Sequence, residues 1–286
     1  MLKQNEKLSL VIPVYNEEKM VAETVLKCRE QLNSLGLDYE IIVVNDGSRD
    51  GTKASLAKVD SIKVLNNPYN IGYGASLKRG IKESSGAWVM IIDADSTYPI
   101  DKIPEFIRYA GEYDMVVGNR QHQRDHFGRK PAKWFLKKLA SFLVGKTIPD
   151  LNSGMRIFRR SVADEFWHLF PSRFSFTSTI TLACFSNDYF VKYVDIPYYK
   201  RVGKSGIKIR NFFDFISLII RVIIYFKPLK MLSPVAAIFF IAGLVKLVKD
   251  FTINGYIGTL ALLLILFAIQ MFFMAVISEV IIKRQK

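Results

Sequence analysis

Along the first two hundred residues, apolar and polar positions follow two rhythms. Short β-branched runs recur as LSLVIPVY (residues 8–15), YEIIVVND (39–46), IKVLNN (62–67), WVMIIDAD (88–95) and YDMVVGNR (113–120). Continuous apolar runs of this length bounded by turn residues read as buried strands. Between them lie helix-period segments, one opening near an Asn16 cap, one over residues 73–83 and one from about Asp101. Strand and helix alternating in this way predict an α/β domain with a mostly parallel sheet covered on both faces. Ligands of such sheets bind outside the carboxyl ends of the strands. Asn16, Glu17, Asp46, Asp93, Asp95 and Arg120 all fall at or just after those ends, so the pattern predicts that they converge on one crevice.

The rhythm changes after about Lys200. Between residues 200 and 230, Lys200, Arg201, Lys204, Lys208, Arg210, Arg221, Lys227 and Lys230 face a single acid, Asp214. Within NFFDFISLIIRVIIYF, Asp214, Ser217 and Arg221 share one helical face and apolar side chains take the others, which predicts a helix lying in a membrane surface over residues 211–230. Two apolar segments close the chain. The second is interrupted only by Gln270 and exceeds the ~20 residues needed to cross the hydrocarbon core. Lys246 and Lys249 enter the first before a full span is complete, and it reaches Phe251 if their stems snorkel. The expected organisation is a domain over residues 1–210, the surface helix, and transmembrane helices at about 232–251 and 257–282. Lys227 and Lys230 precede the hairpin, Lys283, Arg284 and Lys286 follow it, and the NGY turn is neutral. By the positive-inside rule this is a multi-pass protein of the cytoplasmic membrane with its large domain in the cytoplasm.

Charge and cysteine content agree with that picture. The chain of 286 residues carries 40 Lys and Arg against 26 Asp and Glu, a formal charge of +14, and should seek anionic partners. Its two cysteines, Cys28 and Cys184, lie in helix-like segments of different regions and suggest neither bridge nor metal knuckle. The N-terminal apolar run is broken by Pro13 and followed by acids, unlike a signal peptide, so the expected compartment is reducing. Two features carry candidate chemistry. Asp93 and Asp95 stand one residue apart after a strand, and like charges so placed repel unless a cation lies between them. Gly72 and Gly74 follow the third strand rather than the first and lack a third glycine at the required offset, which argues against a dinucleotide fold.

Taken in order and spacing, VIPVYNEE, VVNDGSRDGT, NIGYGAS, IIDADSTYP and DLNSGMRIFRR resemble the family 2 glycosyltransferases of GT-A fold. Specifically, they resemble the branch of polyprenyl-phosphate glycosyltransferases, which includes dolichyl-phosphate mannose synthase. The resemblance covers residues 8–232, and the C-terminal hairpin resembles the bacterial undecaprenyl-phosphate subgroup. It implies that Pro13, Tyr15, Glu17, Val44 and Asp46 contact the nucleoside of a UDP- or GDP-linked sugar, and that Asp93 and Asp95 are a DXD pair holding Mg²⁺ or Mn²⁺ against its diphosphate. Thr97 stands where some relatives carry a metal-reaching Gln. Arg120 matches an arginine near the phosphates, Asp150 an acidic catalytic position beside the acceptor with Ser153 next to it, and Arg201 and Ser205 a loop closing over a phosphate. Relatives often place Arg before this Asp; here Pro149 stands there, so Arg156 or Lys146 is expected to supply that acceptor contact.

The reading that follows is an inverting, membrane-anchored transferase moving one sugar to an undecaprenyl or dolichyl phosphate. Two alternatives stay open: a family 2 enzyme acting on a hydroxyl of a membrane saccharide or lipid, and a non-catalytic membrane scaffold. The basic loop after Arg120, with His122, Arg124, His126, Arg129, Lys130 and Lys133, accompanies no known nucleic-acid module, so no nucleic-acid partner is expected. The sequence fixes neither donor base, sugar nor prenol length, nor whether the chain forms a homo-oligomer.

Overall fold

The computed structural model describes residues 6–121, 138, 140–142, 144–171, 176–199, 220 and 224–284. Seven strands form one sheet: β1 (Leu8–Val14), β2 (Tyr39–Asn45), β3 (Lys63–Asn66), β4 (Trp88–Ile91), β5 (Met115–Gln121), β6 (Arg156–Arg159) and β7 (Val191–Pro197), in the order β3-β2-β1-β4-β6-β5-β7. The pairs of β1 with β2 and β4, of β2 with β3 and of β5 with β7 are parallel. Helices α1 (Val21–Ser34), α2 (Thr52–Leu56), α3 (Tyr73–Lys82), α4 (Ile103–Tyr109), α5 (Arg160–Glu165) and α6 (Phe176–Ser186) accompany it.

Every residue of β1 is buried, because each face of the sheet meets its own apolar cluster. Val11, Ile42 and Val44 point into one, with Leu77 of α3 and Ile180 of α6. Leu10, Ile12, Ile41 and Val43 point into the other, with Val25 of α1 and Phe106 of α4. A strand covered on both faces has no polar side to show, which is why these runs are continuous rather than alternating.

Strands β6 and β7 and helix α6 are elements the sequence pattern did not predict, and β6 matters most for the site. It runs antiparallel between β4 and β5, its first residue Arg156 lying opposite Ile91 and Val117. Because it runs backwards, the segment leading into it arrives at the carboxyl ends of β4 and β5. Residues 150–155 are thereby delivered to the edge where parallel sheets bind ligands. Pro13 helps open that edge. Strand β4 pairs with β1 only over Leu8–Val11, and β1 turns its even-numbered residues to β2, since Asp46 N donates to Val14 O. The N–H that Pro13 lacks would point to the side where β4 has already left, so no ladder bond is lost.

Helix α1 starts at Val21 rather than near Asn16. Asn16 has φ 56°, its N–H donates to Ser48 Oγ at 2.9 Å, and its Oδ1 accepts from Arg49 N at 2.8 Å. Those bonds tie it to the loop after β2 and hold it out of helical geometry. Two long helices, α7 (Pro228–Asn254) and α8 (Thr259–Arg284), form an antiparallel hairpin whose turn opens with Gly255 at φ 73°. Residues Pro228–Ile253 and Thr259–Ile282 are each long and apolar enough to cross a membrane, with mean hydropathy 2.2 and 2.8. Large apolar side chains such as Ile238, Val245, Phe273 and Met274 are exposed along them. Lys246 does not end the first span, because it pairs with Asp250 one turn further on. The expected surface helix lies largely outside the described residues.

Arg156 corrects one expectation. It is fully buried, and its guanidinium donates to Ser153 O at 3.1 and 2.5 Å, Thr177 O at 2.8 Å and Thr181 Oγ1 at 2.9 Å. With no surface to offer an acceptor phosphate, it fastens α6 to the loop before β6. Arg156→Met should therefore lower thermal stability, at about 1–3 kcal/mol for each carbonyl left unpaired, as measured by the unfolding midpoint in detergent. An unchanged midpoint would show that these bonds do not hold the loop.

Candidate active site

The crevice is built by a relay of contacts from one strand end to the next. On its outer side the loops after β1 and β2 are laced together: Glu17 N donates to Thr52 Oγ1 at 2.9 Å, Glu18 N to Asp50 Oδ2 at 3.2 Å and Gly51 N to Glu18 Oε2 at 2.7 Å. This lacing presents the Tyr15 ring to solvent, 41% exposed, with Glu17 half-buried beside it. Pro13 is buried behind them. Val44 and Asp46 depart from expectation. The Val44 side chain is wholly within the core, so it gives the nucleoside no surface. Asp46 is 3% exposed; its Oδ1 accepts from Asn67 Nδ2 and Ile71 N at 2.8 and 2.9 Å, and its Oδ2 from Gly72 N at 2.9 Å. Its carboxylate anchors the loop that enters α3.

That loop sets the next contact. Gly72 has φ 104°, a conformation side chains rarely adopt, and it turns the chain so that α3 begins at Tyr73. The Tyr73 hydroxyl donates to Asp93 Oδ1 at 2.9 Å. Burial and then the neighbouring Asp93 charge push the Tyr73 pKa well up, so the phenol remains a donor.

Asp93 and Asp95 lie just past the end of β4, both half-buried. Asp95 Oδ1 accepts from Thr97 N at 3.2 Å and Thr97 Oγ1 at 2.6 Å. Thr97 itself is fully buried; it fixes Asp95 rather than reaching outward as a ligand. On the other flank, Gly154 packs directly on Asp93. A Cβ there would fall far inside van der Waals contact of Oδ2 and 2.7 Å from Cγ. Its N–H donates to Tyr98 Oη at 2.6 Å, which fixes the close approach. The donor set, two partly exposed carboxylates each oriented by a hydroxyl, suits a hard divalent cation that takes further oxygens from substrate and water. Among the described residues no group of three or more His, Cys, Asp or Glu is placed to hold a metal ion.

Arg120 and Asp150 meet at the inner end. Arg120 Nε donates to Asp150 Oδ2 at 2.6 Å and Nη2 to Oδ1 at 2.9 Å, a bidentate pair with both side chains nearly buried. Asn152 N adds a bond to Oδ1 at 3.0 Å. The guanidinium stands 5.1 Å over the Tyr198 ring, which meets Tyr98 edge-on. Burial alone would raise the Asp150 pKa; the Arg120 hydrogen bonds and charge outweigh it and hold the carboxyl below its ordinary value.

One further expectation is corrected. Ser153 is fully buried, and its hydroxyl faces Met155 O at 3.5 Å, so it offers the acceptor nothing. Lys146 is exposed and forms a surface pair with Asp188 at 3.1 Å. Arg201, Ser205 and the basic loop after Arg120 lie outside the described residues. Tyr73, Tyr98 and Gly154 were not singled out as site residues from the sequence, although all three stand inside motifs that were.

The Arg120–Asp150 pair makes a pH-dependent prediction. A carboxyl whose folded pKa lies below the unfolded value of ~3.9 contributes stability above that value and loses it as pH falls through the folded pKa. Between about pH 6 and about pH 3 the unfolding midpoint should fall more steeply for the wild type than for Asp150→Asn. Parallel curves would mean that the pair does not stabilise the fold.

Comparison with known proteins agrees with this geometry. Glycosyl transferase family 2 matches residues 9–167, and the GtrB C-terminal hairpin matches residues 227–283. Glucosyl-3-phosphoglycerate synthase from Mycobacterium tuberculosis, in complex with Mn²⁺, UDP and glucosyl-3-phosphoglycerate, superposes with TM-score 0.60 at 18% identity, covering 77% of this chain and 79% of that one. Its complex with Mn²⁺, UDP-glucose and phosphoglyceric acid gives TM-score 0.61 at 18% identity, over 77% and 80% of the two chains. The likeness at this identity is one of fold, GT-A, and the chain here is a glycosyltransferase. With more than half of its residues covered, from β1 through α5, the chain belongs to glycosyl transferase family 2.

Proposed function

We propose that the enzyme transfers one sugar, with inversion, from a nucleoside-diphosphate sugar to a polyprenyl phosphate at the cytoplasmic face of a membrane. Support for the donor comes from the site and from the neighbouring fold, whose structures hold UDP-glucose with Mn²⁺. The exposed Tyr15 ring would stack on the base and Glu17 would accept hydrogen bonds from the ribose. Asp93 and Asp95 would hold Mg²⁺ or Mn²⁺, which supplies charge neutralisation for the departing diphosphate.

The observation that carries the acceptor assignment is the state of Asp150. A carboxylate clamped by Arg120, with its pKa held down, is a weak general base. An acceptor hydroxyl would need such a base; a phosphate monoester, with a second pKa of ~6, reaches the site already ionised. Its oxygen attacks the anomeric carbon, the bond from that carbon to the diphosphate oxygen breaks, and no proton has to move. Asp150 then holds Arg120 in place beside the reacting phosphates. The GtrB hairpin, found in polyprenyl-phosphate glycosyltransferases, points the same way. The rival reading, transfer to a hydroxyl, draws on the neighbouring synthase, whose structures also hold phosphoglyceric acid.

Initial rates against pH separate the two. Polyprenyl phosphate should be used and the matching polyprenol not, with activity falling as pH drops through the acceptor's own pKa of ~6, and with that limb unmoved in Asp150→Asn. Glycosylation of the free alcohol, or an acidic limb that shifts with Asp150, would favour the hydroxyl acceptor. For the donor half, Asp95→Asn keeps an oxygen for the Thr97 bonds but removes the charge. It should fold normally and lose orders of magnitude in turnover, and chelation of divalent ions should do the same to the wild type; full activity in excess EDTA would remove the metal from the reaction.

A further inference from the structure

A cavity of about 420 Å³ lies between the base of the hairpin and the catalytic domain. Ser186 lines it from the end of α6, Lys227, Lys230 and Ser233 from the start of α7, and Glu279 and Ile282 from the end of α8. The spans begin at Pro228 and end at Ile282, so this cavity sits at the level where an inserted hairpin leaves the hydrocarbon. Its ammonium groups are weakly engaged. Lys227 Nζ makes one long bond to Val144 O at 3.4 Å, and Lys230 Nζ lies 5.6 Å from the centre of the exposed Phe142 ring. Neither has a carboxylate partner among the described residues, while Glu279 has an interaction of its own.

We infer that this cavity binds the phosphodiester headgroup of an anionic glycerophospholipid. Two lysines against one carboxylate leave the lining net positive, matching a monoanionic phosphodiester. Ser186 and Ser233 offer hydroxyls to a glycerol headgroup, and Leu229 and Ile282 offer apolar surface to the upper acyl chains. The site is distinct from the reaction centre. Helix α6 meets the catalytic loop at its first turns, where Arg156 binds Thr177 O and Ser178 binds Asn152. Ser186 is nine residues further on, a rise of ~13 Å. A lipid held there would bridge the base of the hairpin and the end of α6.

The inference rests on the hairpin being inserted in a membrane, and the test separates the two claims. The full chain is first extracted with alkaline carbonate: release from the membrane would refute insertion itself. If it is retained, the protein is purified in detergent, exposed to equal phosphatidylglycerol and phosphatidylcholine, and its bound lipid counted by native mass spectrometry. The wild type should keep phosphatidylglycerol in preference. Lys227→Gln with Lys230→Gln should reduce that retention by about tenfold or more, since each basic residue near anionic lipid contributes ~1 kcal/mol. Lys283→Gln with Arg284→Gln, which removes the same charge from the end of α8, should leave it nearly unchanged. Equal loss in both double variants, equal retention of phosphatidylcholine, or displacement of phosphatidylglycerol by substoichiometric polyprenyl phosphate would overturn the assignment.

Discussion

The bare backbone of Gly154 lies against the carboxylate of Asp93, and the rest of the site is arranged around that contact. It joins the end of β4 to the loop before β6, which the antiparallel course of β6 brings to the same edge of the sheet. From Asp93 the contacts run outward through Tyr73 and Gly72 to Asp46, and inward along residues 150–154 to Asp150 and Arg120. A side chain at residue 154 would press the two halves apart. These members of the relay are each held by a neighbour from a different strand end, which limits the side-chain ordering that binding would cost.

The same arrangement divides the charges into two groups. Asp46 is spent on backbone N–H groups and Asp150 on Arg120, so these carboxylates act as fasteners. Asp93 and Asp95 are oriented by neutral hydroxyls instead. Both carboxylates are partly exposed at the crevice, and hard divalent cations take such oxygens. Replacing one partner of the Arg120–Asp150 pair would leave the other charge poorly solvated, the costly half of any buried ion pair.

What the sequence made legible follows from how local the signal was. Strands β1, β2, β4 and β5 are continuous apolar runs because helices cover both faces, and the polar residues after them mark the crevice without any tertiary knowledge. Strand β6 was not legible: RIFR is four residues with an arginine at each end, and nothing in it reveals an antiparallel insertion. Side-chain destinations were the weakest inference. Val44 and Asp46 are neighbours of the site in sequence, yet one points into the core and the other is consumed by a loop 25 residues away. Arg156 looked like a phosphate ligand because it is basic and near the acceptor loop, but α6, which the sequence pattern did not predict, supplies the Thr177 carbonyl and the Thr181 hydroxyl that hold it inside. Asn16 looked like a helix cap and instead binds the facing loop.

Because the account makes the Gly154 contact the element that sets Asp93, its most direct test is divalent-ion affinity when that contact changes. Mn²⁺ binding can be followed by electron paramagnetic resonance with UDP and with GDP present, for the wild type, Gly154→Ala and Tyr73→Phe, each checked for an intact fold by circular dichroism. Residues that orient metal ligands typically contribute ~10- to 100-fold in affinity. The account predicts a loss of that order in Gly154→Ala and a smaller one in Tyr73→Phe; a folded Gly154→Ala protein that binds Mn²⁺ as tightly as the wild type would contradict it.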